Sequence, residues 1–138
     1  MVDKNLVLRK LSDLDGYREQ ILEFAGISVS DYSQDWKIQR IIERTLQIMI
    51  EICADVANHI ISDKKLAAPQ SYADAFKILR DEGILETELA DTMQEMAKFR
   101  NIIVHGYDKI DEAIVVDLLK RRLGDFAGYR DAILAQLT

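Results

Sequence analysis

The chain is poor in the residues that build covalent cross-links, metal centres and broken helices. Its one cysteine, Cys53, cannot form an internal disulfide, and it sits in an apolar-rich helical pattern, which suits a reducing cytoplasm. The two histidines, His59 and His105, are far apart and make no metal site with that cysteine. Neither an HExxH nor a CxxC spacing occurs. A glycine-rich phosphate loop is also missing, so the chain is not expected to bind ATP as a P-loop enzyme does. No apolar run approaches the roughly 20 residues needed to cross a bilayer. The first twenty residues include Asp3, Lys4, Arg9, Lys10, Asp13 and Asp15, so no signal peptide is expected.

Positive charge is short as well. Eighteen basic residues face 24 acidic ones, for a net charge of −6. Phosphate contacts dominate sequence-independent nucleic-acid affinity, so this balance argues against a bulk nucleic-acid coat. It leaves room for a local basic patch or a site assembled between subunits.

What is present is amphipathic helix. Hydrophobic residues make up 49 % of the chain and charged ones 30 %, with a single proline, Pro69. Nearly every segment carries apolar side chains at three-to-four spacing, and none shows sustained alternation. A first helix is expected from about residue 3 to 25, with Gly26 as its stop signal. Ser30, Asp31 and Ser33 offer N-caps for a long second helix ending near Ile61. Most of that second helix is apolar around its circumference, so it must be covered from more than one direction, and a partner subunit is a natural source of cover. Pro69 precedes a short third helix that Gly83 ends, a fourth runs from about 87 to 103, and a last one starts at Asp111 and continues through Gly124 and Gly128. The expected architecture is all-α, an up-and-down bundle of about five helices forming a single domain over 1–138.

One stretch does not read as packing alone. "KFRNIIVHGYDKID" places Arg100, His105 and Tyr107 within eight residues. Arg100 and His105 lie about 140° apart on an ideal helix and converge only if the chain changes course. Gly106, in a left-handed conformation, would supply that change. The partial negative charge of a helix C-terminus favours the charged form of an imidazole. Such an imidazole can give or take a proton, and a nearby guanidinium can grip a phosphate and stabilise its developing charge. RNA carries its own 2′-hydroxyl nucleophile, so these parts suffice for cleavage without a metal. The structural alternative is that His105 caps carbonyls and Arg100 pairs with Glu95 or Asp108. Glu51, a polar residue on the mostly apolar second helix, is expected to serve as a buried hydrogen-bonding group. Lys120, Arg121 and Arg122 read as a solvated helix face, and His59 as a solvated terminal residue.

Arg100-(four residues)-His105-Gly106-Tyr107 matches the R-X4–6-H-X-Y motif of the HEPN superfamily. Together with "IIERTLQIMIE" (41–51), "SYADAFKIL" (71–79) and "FRNIIVHGYDKID" (99–111), it resembles the HepT-like toxin branch over about residues 5 to 135. The resemblance implies a homodimeric helical bundle and a metal-independent ribonuclease with no cofactor, acting on RNA in the cytoplasm. It implies that Arg100 and His105 are catalytic and that the partner is an MntA-like nucleotidyltransferase antitoxin of a type VII system. That antitoxin would transfer AMP onto Tyr107, which is thus both a site residue and a modification target. Asn101 and Lys98 are expected to shape the site or touch substrate, with Arg40 and Arg44 adding positive potential. The competing expectation is a non-catalytic helical docking partner or substrate of a minimal nucleotidyltransferase.

Overall fold

A computed structural model describes residues 3–106 and 109–137. Its elements are seven helices: α1 Lys4–Leu22, α2 Val29–Gln34, α3 Trp36–Asp63, α4 Tyr72–Asp81, α5 Thr87–His105, α6 Glu112–Arg121 and α7 Leu123–Gln136. Among the described residues no helix is long and apolar enough to cross a membrane.

Local chemistry sets most of the starts. Asp3 caps α1 by accepting from the Leu6 amide at 3.1 Å. Ser71 caps α4 through the Asp74 amide at 3.0 Å, and the Asp74 carboxylate accepts from the Gln70 amide at 2.9 Å. That reciprocal pair satisfies two amides that the first turn leaves without helical partners. Two of the expected spans are each divided. The long second helix is interrupted before Trp36, because Asp35 is extended and accepts from the Lys37 and Ile38 amides at 3.0 and 3.2 Å. Ser28, rather than Ser30, Asp31 or Ser33, caps the short helix before it. The last span divides at Arg122, ahead of Gly124, so the apolar pattern continues in phase while the backbone turns. Gly83 does act as a stop: its φ is +75°, and the following Ile84 amide reaches back to the Leu79 carbonyl at 2.9 Å.

The long helix α3 is the axis of the bundle, and α1, α2, α4 and α5 all pack against it. Ile42, Leu46, Met49, Ile50, Cys53 and Val56 are fully buried along it. Cover for α3 therefore comes mainly from the chain's own helices, with Ile41 left 51 % exposed. Helix α7 closes the far side by packing on α1, α5 and α6. Its Tyr129 hydroxyl donates to the Cys53 carbonyl of α3 at 2.7 Å, while Phe76 of α4 meets the Tyr129 ring edge-on at 5.7 Å. Three helices are joined at this one point, and the polar end of a buried tyrosine is satisfied there.

Burial pushes the Cys53 thiol far above its ordinary range, so it stays protonated. The native chain should leave a disulfide-type thiol reagent unreacted and release one equivalent only on denaturation; rapid labelling of native protein would contradict the encircled α3. Tyr129→Phe should lower the unfolding free energy by about 1 kcal/mol with an unchanged denaturant slope, as measured by urea titration.

Candidate active site

The site forms where α5 crosses the polar stripe of α3. Arg100, near the end of α5, turns inward to α3. Its Nη2 donates to Glu51 Oε2 at 2.7 Å and its Nε donates to the same oxygen at 2.9 Å. Gln47, one turn earlier on α3, adds a third bond to that oxygen at 3.2 Å. The face of the guanidinium lies over Tyr72 of α4, with Cζ 4.8 Å from the ring centroid. Its remaining nitrogen, Nη1, donates to Asn101 Oδ1 at 3.2 Å.

These contacts constrain Arg100 in three directions. Both side chains of the ion pair keep some solvent access, 19 % for Arg100 and 27 % for Glu51. Two donors converging on one carboxylate oxygen fix the plane of the guanidinium, and Tyr72 fixes which way that plane faces. What stays open to a ligand is the Nη1 edge, beside the exposed Asn101. A planar donor held in this way is suited to meeting a phosphate oxygen.

His105 is the last residue of α5 and is exposed. Helix α5 runs unbroken from Thr87 through His105, so the change of course expected between Arg100 and His105 does not occur. Gly106 has φ −137° rather than a left-handed conformation; its amide donates to the Ile102 carbonyl at 2.8 Å and its carbonyl accepts from the Lys109 amide at 2.7 Å. A Cβ there would meet nothing closer than 3.5 Å, so the backbone does not require glycine. Within one chain the imidazole and the guanidinium lie about 140° apart around the helix and about 7.5 Å along it. No hydrogen bond joins them. Tyr107 falls outside the described residues.

Other expectations resolve simply. Among the described residues Arg100 pairs with Glu51 rather than Glu95, and Asp108 lies outside the described residues. Glu51 is half-buried rather than buried, and its hydrogen-bonding role is the one just described. Lys98 is exposed. Arg121 pairs with Asp117 at 2.9 Å on open surface, and the exposed Arg122 pairs with the half-buried Asp125 at 3.7 Å, so all three cations, Lys120 included, keep the solvent access of a solvated helix face. His59 is half-buried and borders a hollow with Asp55, Asn58 and Ser62. Among the described residues no group of three or more His, Cys, Asp or Glu side chains is arranged to hold a metal ion. A hollow of about 560 Å³ between the end of α1 and α2 is bordered by Glu23, Asp31 and Asp35, and that charge makes it unsuited to a phosphate. Sequence reading missed Tyr72 and Gln47. Their spacing on α4 and α3 marks faces, but nothing in it announces a contact with a residue on another helix.

Comparisons with known proteins identify the family. The family model described as Ribonuclease HepT-like matches residues 14–133. The mRNA nuclease HepT of Shewanella oneidensis is 31 % identical over 132 residues, covering 96 % of this chain and 98 % of the relative. The tRNA nuclease HepT of Aphanizomenon flos-aquae is 31 % identical over 110 residues, covering 80 % of this chain and 75 % of the relative. A solved structure of the tri-AMPylated Shewanella oneidensis HEPN toxin in complex with MNT antitoxin superposes with a TM-score of 0.87, at 31 % identity, over 98 % of this chain and 99 % of that one. A match over most of the length, carried by sequence and by helix packing alike, places the chain in the Ribonuclease HepT-like family.

Proposed function

We propose that this single-domain chain is a metal-independent endoribonuclease of the cytoplasm, the toxin of a toxin–antitoxin pair, and that two copies assemble to form its working site. The observation that carries the reading is the oriented Arg100, on the same helix as an exposed His105 at the end of α5, in a chain of this family.

The chemistry follows from what each group can do. The 2′-hydroxyl of RNA attacks the adjacent phosphorus, and the bond to the 5′-oxygen breaks. Arg100 offers Nη1 to a non-bridging oxygen, where negative charge grows in the transition state. An imidazolium at His105 gives its proton to the departing 5′-oxygen, and a neutral imidazole takes the 2′-hydroxyl proton. One chain holds its guanidinium and imidazole on different sides of α5, so a two-fold pair of chains, presenting both groups twice to one strand, meets the requirement better than a monomer. Asn101 fixes the Nη1 edge of Arg100, and Lys98 adds a cation nearby.

Neutralisation has an equally direct basis. Tyr107 follows His105 by two positions, and a nucleotidyltransferase antitoxin placing AMP on its hydroxyl would put bulk and negative charge where the substrate phosphate sits. The solved relative is itself a tri-AMPylated toxin bound to an antitoxin.

Three measurements test the reading. His105→Ala should abolish RNA cleavage and growth arrest while leaving dimer mass and melting temperature nearly unchanged; surviving cleavage would remove His105 from the mechanism. The cut ends should be a 2′,3′-cyclic phosphate and a 5′-hydroxyl by mass spectrometry, whereas a 3′-hydroxyl and 5′-phosphate would mean that water is the nucleophile. Glu51→Ala should lower kcat by on the order of 100-fold, since misplacing a catalytic group by about 1 Å costs that much. An increase in kcat/KM would instead show that Glu51 competes with the substrate phosphate for Arg100.

A further inference from the structure

The chain's one tryptophan, Trp36, is 64 % exposed, the most open large apolar side chain among the described residues. A lone exposed hydrophobe is ordinary, so its surroundings decide whether it means anything. Trp36 opens α3, and the Lys37 ammonium lies 5.9 Å from its ring centroid. At about 100° per residue, Trp36, Arg40, Gln47 and Glu51 fall within about 60° of one another, with Arg44 about 20° beyond. They form one edge of α3, about 22 Å long, that ends at the carboxylate holding Arg100. Along this edge, between α3 and α5, lies a hollow of about 290 Å³ bordered by Arg40, Glu43, Arg44, Gln47 and Ile103. Gln47 bonds Glu51, so the hollow runs directly into the Arg100 site.

The charge along this edge opposes that of the whole molecule. Glu112 of α6 borders Arg40 from beyond α3; on α3 itself this edge carries two carboxylates, Glu43 and Glu51, against the cations Lys37, Arg40, Arg44 and the inward-turned Arg100, in a chain whose net charge is −6. Both carboxylates are already engaged. Glu51 holds Arg100, and Glu43 accepts from the Tyr32 hydroxyl at 3.4 Å and from Arg40 Nη1 at 3.4 and 3.5 Å. Arg40 spends a single nitrogen on that contact and is 63 % exposed. Arg44 is exposed and makes no hydrogen bond or ion pair to a described residue.

We propose that this edge of α3 is a track for single-stranded RNA, on which Arg44 and Arg40 pair backbone phosphates leading away from Arg100 and Trp36 stacks a base at the far end. A line of cations ending in an open aromatic is the arrangement that binds single strands with little sequence preference. A protein partner anchored on Trp36 would want apolar neighbours, whereas the indole here has the Lys37 ammonium at 5.9 Å and Arg40 one helical turn along the same edge. The inference rests on the ribonuclease reading and extends its substrate contacts beyond the bond that is cut.

With one tryptophan in the chain, emission excited beyond the tyrosine absorption band reports on Trp36 alone. The full chain carrying His105→Ala, to prevent cleavage, is titrated with oligouridylates of about 16 and about 4 nucleotides, following emission and the anisotropy of labelled RNA. Saturable quenching by the longer strand is expected. Trp36→Ala should weaken its Kd about tenfold and Trp36→Phe much less, as stacking requires. Arg40→Ala with Arg44→Ala should make the slope of log Kd against log salt shallower by about 1.4. RNA bound by anisotropy with no change in emission or in slope would overturn the track and leave the cleavage reading standing. Emission that answers to protein concentration but not to RNA would assign the face to a second copy and overturn the track too. Should the unmutated chain neither bind nor cut RNA, the cleavage reading fails and takes the track with it.

Discussion

Helix α3 has more apolar circumference than any one neighbour can cover, and the arrangement of the bundle answers that demand. Taking Ile42, Leu46, Met49 and Ile50 out of water requires α1, α2, α4 and α5 on different sides at once. What remains open is chiefly a polar edge, which water or a ligand can reach along the length of α3. The functional groups gather there for this reason. Gln47 and Glu51 occupy that edge, and Arg100 approaches it from α5 because a guanidinium entering the groove finds a carboxylate ready to accept it.

That ion pair holds two opposing requirements in balance. A free arginine would roam over many rotamers and lose that freedom on meeting a phosphate, whereas one already fixed by Glu51 and Tyr72 has little left to lose. Yet a carboxylate touching the same guanidinium also cancels part of its charge. The geometry reconciles the two by concentrating Glu51 on Nε and Nη2, which leaves the Nη1 edge without a carboxylate among the described residues. Among the described residues, the partner on that edge is Asn101, a neutral acceptor.

Much of this was legible in the sequence, and the reasons differ from feature to feature. The helices could be read because three-to-four spacing is a local property, and Gly83 marked its stop because a left-handed residue after a helix favours glycine. The break at Asp35 was not read, because Ser30, Asp31 and Ser33 offered equally good caps a turn earlier and only packing decides among them. The division at Arg122 left the apolar phase undisturbed, so periodicity carried no trace of it. Gly106 misled for the opposite reason: glycine permits a left-handed turn but does not impose one. Arg100 and His105 stood out as residues, while the partners of Arg100 did not. Glu51 lies 49 positions away, and no local pattern links positions that far apart.

The bond between Tyr129 and the Cys53 carbonyl joins positions 76 apart and places part of the bundle's closure in its final helix. During synthesis α7 emerges after every other element, so until then one side of the core has no lid, and the scaffold beneath Arg100 lacks its last support. A chain from which α7 has yet to emerge therefore carries the motif residues without the finished frame around them.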